Sequence, residues 1–128
     1  MACTKNEIIE DIKKYVDELR KHGIPVQRAF LFGSWTTGRA SEESDIDVAL
    51  VSDAFTGDRF LDRRRIVPLR RTINTRIEPI PFRQRSFEAG GHLVDEIKRH
   101  GEVISTQGEL NDKAGSDPEG FLKSLTAF

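Results

Sequence analysis

Apolar residues at Ile8, Ile12, Tyr15, Val16 and Leu19 recur at three- and four-residue spacing, the stripe of one helix face. Thr4 stands where an N-cap would, with Glu7 three residues on to close a capping box. Lys21 and His22 precede Gly23, a natural stop, so the pattern predicts a helix over Thr4–His22. Pro25 then opens an extended connection. Ala29-Phe30-Leu31-Phe32 is unbroken apolar sequence, which predicts a strand over Gln27–Phe32 covered on both faces. Gly33 ends it, Ser34–Gly38 reads as a short helix, and Arg39–Ser44 reads as a polar loop.

A second strand is predicted over Asp45–Val51. Period-two geometry puts Asp45, Asp47 and Ala49 on one face and Ile46, Val48 and Leu50 on the other. Asp58 is placed to cap a helix running through Phe60, Leu61, Ile66 and Leu69, with Pro68 as a kink. Arg76–Phe82 is a third extended run, and Pro79 and Pro81 restrict it to a sheet edge or an irregular strand. A further segment starts at Phe87. Gly90–Arg99 reads as a helix with Leu93, Val94 and Ile97 inward, and Glu102-Val103-Ile104 as a last short strand. Periodicity fails after Thr106 and returns only at Phe121, Leu122, Leu125 and Phe128, the pattern of a disordered tail or a short docking helix. The order predicts an α/β (α+β) domain over residues 1–105, a small mixed sheet with helices packed on it, followed by a tail over 106–128.

Composition narrows the chemistry by exclusion. A chain of 128 residues suits one compact domain, and a formal net charge of -1 exerts no global pull on nucleic acid or anionic membranes. A single cysteine, Cys3, excludes an internal disulfide and a cysteine-built zinc site. No apolar run reaches the length of about 20 residues that spans a bilayer, so a cytoplasmic location is the default expectation. His22, His92 and His100 show no ligand spacing.

The unusual feature is acidic. Asp45 and Asp47 project from one strand face about 6–7 Å apart along the chain. Like charges at the edge of an apolar strand repel and resist desolvation, and a hard divalent cation relieves both penalties. If the run that carries Glu78 lies beside this strand, its carboxylate completes a two-cation site for phosphoryl transfer. Taken alone a D-x-D is common, and a turn-capping Asp45 beside an exposed Asp47 explains it equally well. Gly33-Ser34 shifts the balance: glycine allows close backbone approach to a ligand, and the serine hydroxyl and following N–H groups suit an anion. A P-loop is a poor fit, because no Gly-Lys-Ser/Thr follows.

Leu31-Phe32-Gly33-Ser34, ten intervening residues and Asp45-Ile46-Asp47 together resemble the G-S-x10-D-x-D signature of the polymerase-β-type nucleotidyltransferase superfamily. The short length is similar to its minimal nucleotidyltransferase branch. The resemblance covers roughly Pro25–Ile104. It implies that Gly33 and Ser34 bind a nucleoside triphosphate and that Asp45 and Asp47 hold Mg²⁺, with two ions expected. Glu78 matches the third acid of the family site, as metal ligand or as base for an acceptor hydroxyl; it is longer than the aspartate many members carry. The implied reaction moves a nucleoside monophosphate, AMP from ATP, to an acceptor hydroxyl and releases pyrophosphate.

Arg39, in the loop between the phosphate turn and the acids, is a third candidate for nucleotide binding. The arginines from Arg59 to Arg76 suit a triphosphate, a nucleic acid or an acidic partner. With Asp58 and Asp62 among them, a solvated helix face is the favoured reading, and nucleic acid is not expected as the main ligand. Trp35 reads as a core residue before a nucleobase neighbour. A domain this small has little surface for a large acceptor, so the acceptor is expected to be another protein. The resemblance suggests a HEPN-type subunit in a toxin–antitoxin-like pair; a homo-oligomer stays open. The rival reading is a non-catalytic nucleotide-binding or partner-neutralising module of the same fold, against which the retention of all three acids counts. Transfer to a small-molecule hydroxyl is a minor third reading, disfavoured by the lack of a second domain.

Overall fold

The structure, a computed structural model, describes residues 4–41 and 43–104. The predicted segments 106–128 lie outside that range. Helix α1 (Lys5–Lys21) carries the expected capping box: the Glu7 N–H donates to the Thr4 hydroxyl at 3.1 Å, and the Thr4 N–H donates to the Glu7 carboxylate at 3.0 Å. All five residues of its predicted stripe are fully buried. Four strands follow in one sheet, β1 (Arg28–Phe32), β2 (Ile46–Val51), β3 (Ile77–Phe82) and β4 (Glu102–Val103), in spatial order β3-β2-β1-β4. β1 runs antiparallel to β2 and β4, whereas β2 and β3 are parallel. The fold is the mixed α/β arrangement that the element order predicts.

The alternation of β1 and β2 divides the core into two layers. Leu31, Ile46, Val48 and Leu50 face α1, with Ile24, Phe55, Ile66 and Ile77 closing that side. Phe30, Phe32, Ala49 and Val51 face the other way, against Phe82 and the helices α4 (Gln84–Ala89) and α5 (His92–His100). Pro79 and Pro81 sit on the edge strand, as expected. β3 offers the Arg76 and Phe82 carbonyls to the N–H groups of Ile46 and Ser52, so its odd-numbered residues, the prolines among them, direct their backbone away from β2.

The arginine-rich segment forms a shorter α-helix than expected. α3 (Arg59–Ile66) begins at the Asp58 cap, whose carboxylate accepts from the N–H groups of Phe60 and Leu61. It stops short of Pro68 and passes into a 3-10 turn over Val67–Thr72, with the proline in its first turn, where a missing N–H costs nothing. Only Ile66 and Asp62 of α3 are buried; Phe60 and Leu61 point to solvent. At about 100° per residue, Phe60 and Leu61 sit well over a quarter-turn round the helix from the buried Ile66, so the face that buries Ile66 leaves both outward. A short α2 (Ser34–Thr37) follows Gly33.

α1 is tied to the end of α3 by one buried hydrogen bond, from the Tyr15 hydroxyl to the Ile66 carbonyl at 2.6 Å. Burial pushes the Tyr15 hydroxyl well above the ordinary tyrosine range, against the opposing pull of Arg70 and Arg63. The hydroxyl therefore stays protonated and able to donate to Ile66. Tyr15→Phe leaves the Ile66 carbonyl without its partner, and thermal unfolding should show a loss of about 1–2 kcal/mol. An unchanged midpoint would mean the carbonyl finds water instead. Among the described residues no helix is long and apolar enough to cross a membrane.

Candidate active site

The sheet register brings the predicted residues to one place. Phe32, Asp47 and Glu78 lie side by side across β1, β2 and β3. Gly33 comes directly after Phe32 with φ of 79°, a conformation that side chains other than glycine seldom adopt. A Cβ at Gly33 would overlap a carboxylate oxygen of Asp47 and come 3.2 Å from its Cγ. Glycine is thus required both by the turn and by the acid. Gly33-Ser34 and Asp47 form one continuous surface.

Asp45, the first residue of the predicted strand, stands exposed just ahead of the observed β2, and Asp47 is half-buried within it. Burial first, then the charges of Asp45 and Glu78, raise the Asp47 carboxyl above its ordinary pKa. Three acids within electrostatic reach and an oxygen-only donor set fit a hard divalent cation, which would remove the repulsion. Asp45 and Asp47 are the residues that would hold it.

Glu78 has a different set of neighbours. Its Oε1 accepts from Arg63 Nη2 at 3.2 Å and its Oε2 from Arg70 Nη1 at 3.3 Å. Arg70 is anchored in turn by donating to the Ile77 carbonyl at 2.6 Å. Among the described residues, no three acid, histidine or cysteine side chains are gathered tightly enough to form a ready-made metal cage. Glu78 would have to exchange at least one guanidinium to become a ligand.

The arginine cluster is therefore not simply a solvated face. Arg63 and Arg70, seven residues and two helical turns apart, converge on one carboxylate from α3 and the 3-10 turn. That spacing was a readable signal of a shared side, though not of Glu78 as its target. Arg39 is exposed, its Nε donating to Thr37 Oγ1 at 3.4 Å and its backbone N–H to the Ser34 carbonyl at 3.2 Å. Ser34 is half-buried. Trp35 packs against the α1 side of the core, as its residue type suggests.

Comparison with known families now bears on this geometry. Residues 10–110 match the family described as Polymerase beta, Nucleotidyltransferase. The chain belongs to that family. It is a nucleotidyltransferase, with the fold its G-S-x10-D-x-D pattern predicts. Among solved structures it is similar to a Sulfolobus solfataricus protein assigned as a nucleotidyltransferase, at 18% identity and a TM-score of 0.56, covering 85% of this chain and 95% of that one. At that identity the likeness speaks for the fold alone. A toxin–antitoxin structure with AMP-PNP is more distant, at 19% identity and a TM-score of 0.49, covering 82% of this chain and 75% of that one. No curated protein sequence matches.

Proposed function

We propose that this nucleotidyltransferase is Mg²⁺-dependent and moves AMP from ATP to a hydroxyl of a partner protein, releasing pyrophosphate. The observation that carries the reading is the close approach of Gly33 to the Asp47 carboxylate, which joins the Gly33-Ser34 turn to an acidic pair. Gly33 and Ser34 bind the triphosphate: the bare glycine admits its oxygens, and the Ser34 hydroxyl donates to one of them. Asp45 and Asp47 hold the cation, and Glu78 joins them once Arg63 or Arg70 is drawn off. Such a cation supplies Lewis acidity to the phosphate under attack and neutralises the departing pyrophosphate. Arg39 closes over the triphosphate from the loop. A domain with this little surface leaves the acceptor to a second protein, and a HEPN-type subunit is the reading that its resemblance to minimal nucleotidyltransferases favours.

The test is direct. The protein is incubated with ATP labelled at the α-phosphate, Mg²⁺ and the protein encoded by the adjacent gene. Label should pass to that protein, and chelation should stop it. ATP labelled at the γ-phosphate should transfer nothing. Tight ATP binding with no turnover would support the non-catalytic module instead, and γ-label on the acceptor would make the reaction a phosphorylation.

A further inference from the structure

Phe60 is 70% exposed, the most solvent-facing large apolar side chain described, and it lines an open groove of about 510 Å³. The groove runs along α3 and the 3-10 turn. Its walls are Phe60, Val67 and Pro68, and its rim is Arg63 and Arg64. An apolar trough edged by guanidinium groups is matched in charge and shape by an apolar side chain flanked by carboxylates. Arg63 belongs to two places at once, since the same side chain that edges the groove holds Glu78 at 3.2 Å. Whatever fills the groove therefore lies beside the candidate catalytic acids.

We propose that this groove is the docking site of the acceptor protein, which inserts an apolar side chain between Phe60 and Val67 and sets carboxylates against Arg63 and Arg64. The proposal rests on the protein-acceptor reading above. It adds where the acceptor binds and by what chemistry. A carboxylate of the acceptor competes with Glu78 for Arg63, so docking loosens the hold on the third acid. Nucleic acid suits the groove less well. The Arg64 guanidinium already lies over the Phe60 ring, 5.9 Å from its centroid, and Val67 and Pro68 offer no flat platform for a base.

The experiment measures binding and labelling of the adjacent-gene protein by wild type, Phe60→Asp and Arg64→Glu. Both side chains are exposed, so the variants should melt as wild type does. Each should weaken the complex by about tenfold or more. ATP binding without the partner should not change, and amide exchange across residues 59–72 should slow only in the wild-type complex. If both variants bind and accept labelling at wild-type levels, the groove is wrong while the transfer reaction stands. Variants that lose binding to a partner that is never labelled would keep the groove and remove the reaction. Absence of any complex with wild type overturns both. Dimerisation of this chain through the groove, or saturable binding there of a 20-nucleotide RNA in place of the partner, also overturns the proposal.

Discussion

Asp47→Asn is expected to reduce AMP transfer by roughly 10³-fold, about 4 kcal/mol of transition-state stabilisation, and at the same time to raise the melting point of the metal-free protein. The two effects share one cause. Asp47 is held half-buried beside Asp45 and Glu78, so its charged form is disfavoured until a cation arrives. The folded state keeps a proton on Asp47 at a pH where the unfolded chain has already lost it. Stability of the metal-free protein therefore falls as pH rises through the window between the ordinary aspartate pKa and the raised one. Asparagine removes that slope along with the ligand. Calorimetry with and without Mg²⁺ checks both halves: wild type should gain about 2.7 kcal/mol at a hundredfold excess of cation over its Kd, and the variant nearly nothing. In wild type a proton on Asp47 competes with the cation, so the affinity for Mg²⁺ should weaken as pH falls toward the raised Asp47 pKa. A variant that transfers AMP at the wild-type rate would remove Asp47 from the site.

The second large effect concerns an acid with no part in the chemistry. Asp62 is 1% exposed, and the partners of its carboxylate among the described residues are Thr56 and Gly57. Its Oδ1 accepts from the Thr56 N–H at 2.8 Å and the Thr56 hydroxyl at 2.9 Å, and its Oδ2 from the Gly57 N–H at 3.1 Å. One carboxylate thus fastens the loop after β2 to the helix that carries Arg63. Asp62→Ala leaves two backbone N–H groups without their acceptor and should cost about 2–3 kcal/mol. For a domain of this size that is roughly a 10 °C drop in melting point. Asp62→Asn keeps one acceptor oxygen and should recover part of the loss. If Asp62→Ala melts with wild type, the loop is held by other contacts and the bonds to Thr56 and Gly57 are incidental.

The sequence was most readable where one residue type answers a local demand. The α1 stripe, the Thr4–Glu7 box and the glycine after β1 each follow from short-range geometry, and each stands in the structure as expected. The acid pair was legible because charged residues do not enter apolar strands without cause. The prolines of β3 left a sheet edge or an irregular strand open, and the strand is a regular one at the edge. Contacts across the fold were harder to read. Asp62 looked like one acid among many arginines, and only the return of the loop at Thr56 and Gly57 explains its burial. Glu78 was legible as a strand acid near Asp47, but not as the meeting point of Arg63 and Arg70, because those arginines arrive from elements whose packing angle no local pattern encodes. Phe60 and Leu61 lie in the helix as expected, but their exposure was not legible: in so short a helix the burial of Ile66 fixes the inner face, and they fall outside it.

The prolines of β3 carry a consequence for how the molecule meets others. An exposed edge strand is normally a template on which a foreign chain can add itself, backbone to backbone. Pro79 and Pro81 withdraw alternate donors from that edge, at the positions whose backbone is directed outward. Recruitment by strand addition is closed on this side of the sheet, next to the strand that carries Glu78. A partner approaching there must recognise side chains rather than borrow the ladder, and its choice is then governed by shape and charge that mutation can tune one residue at a time.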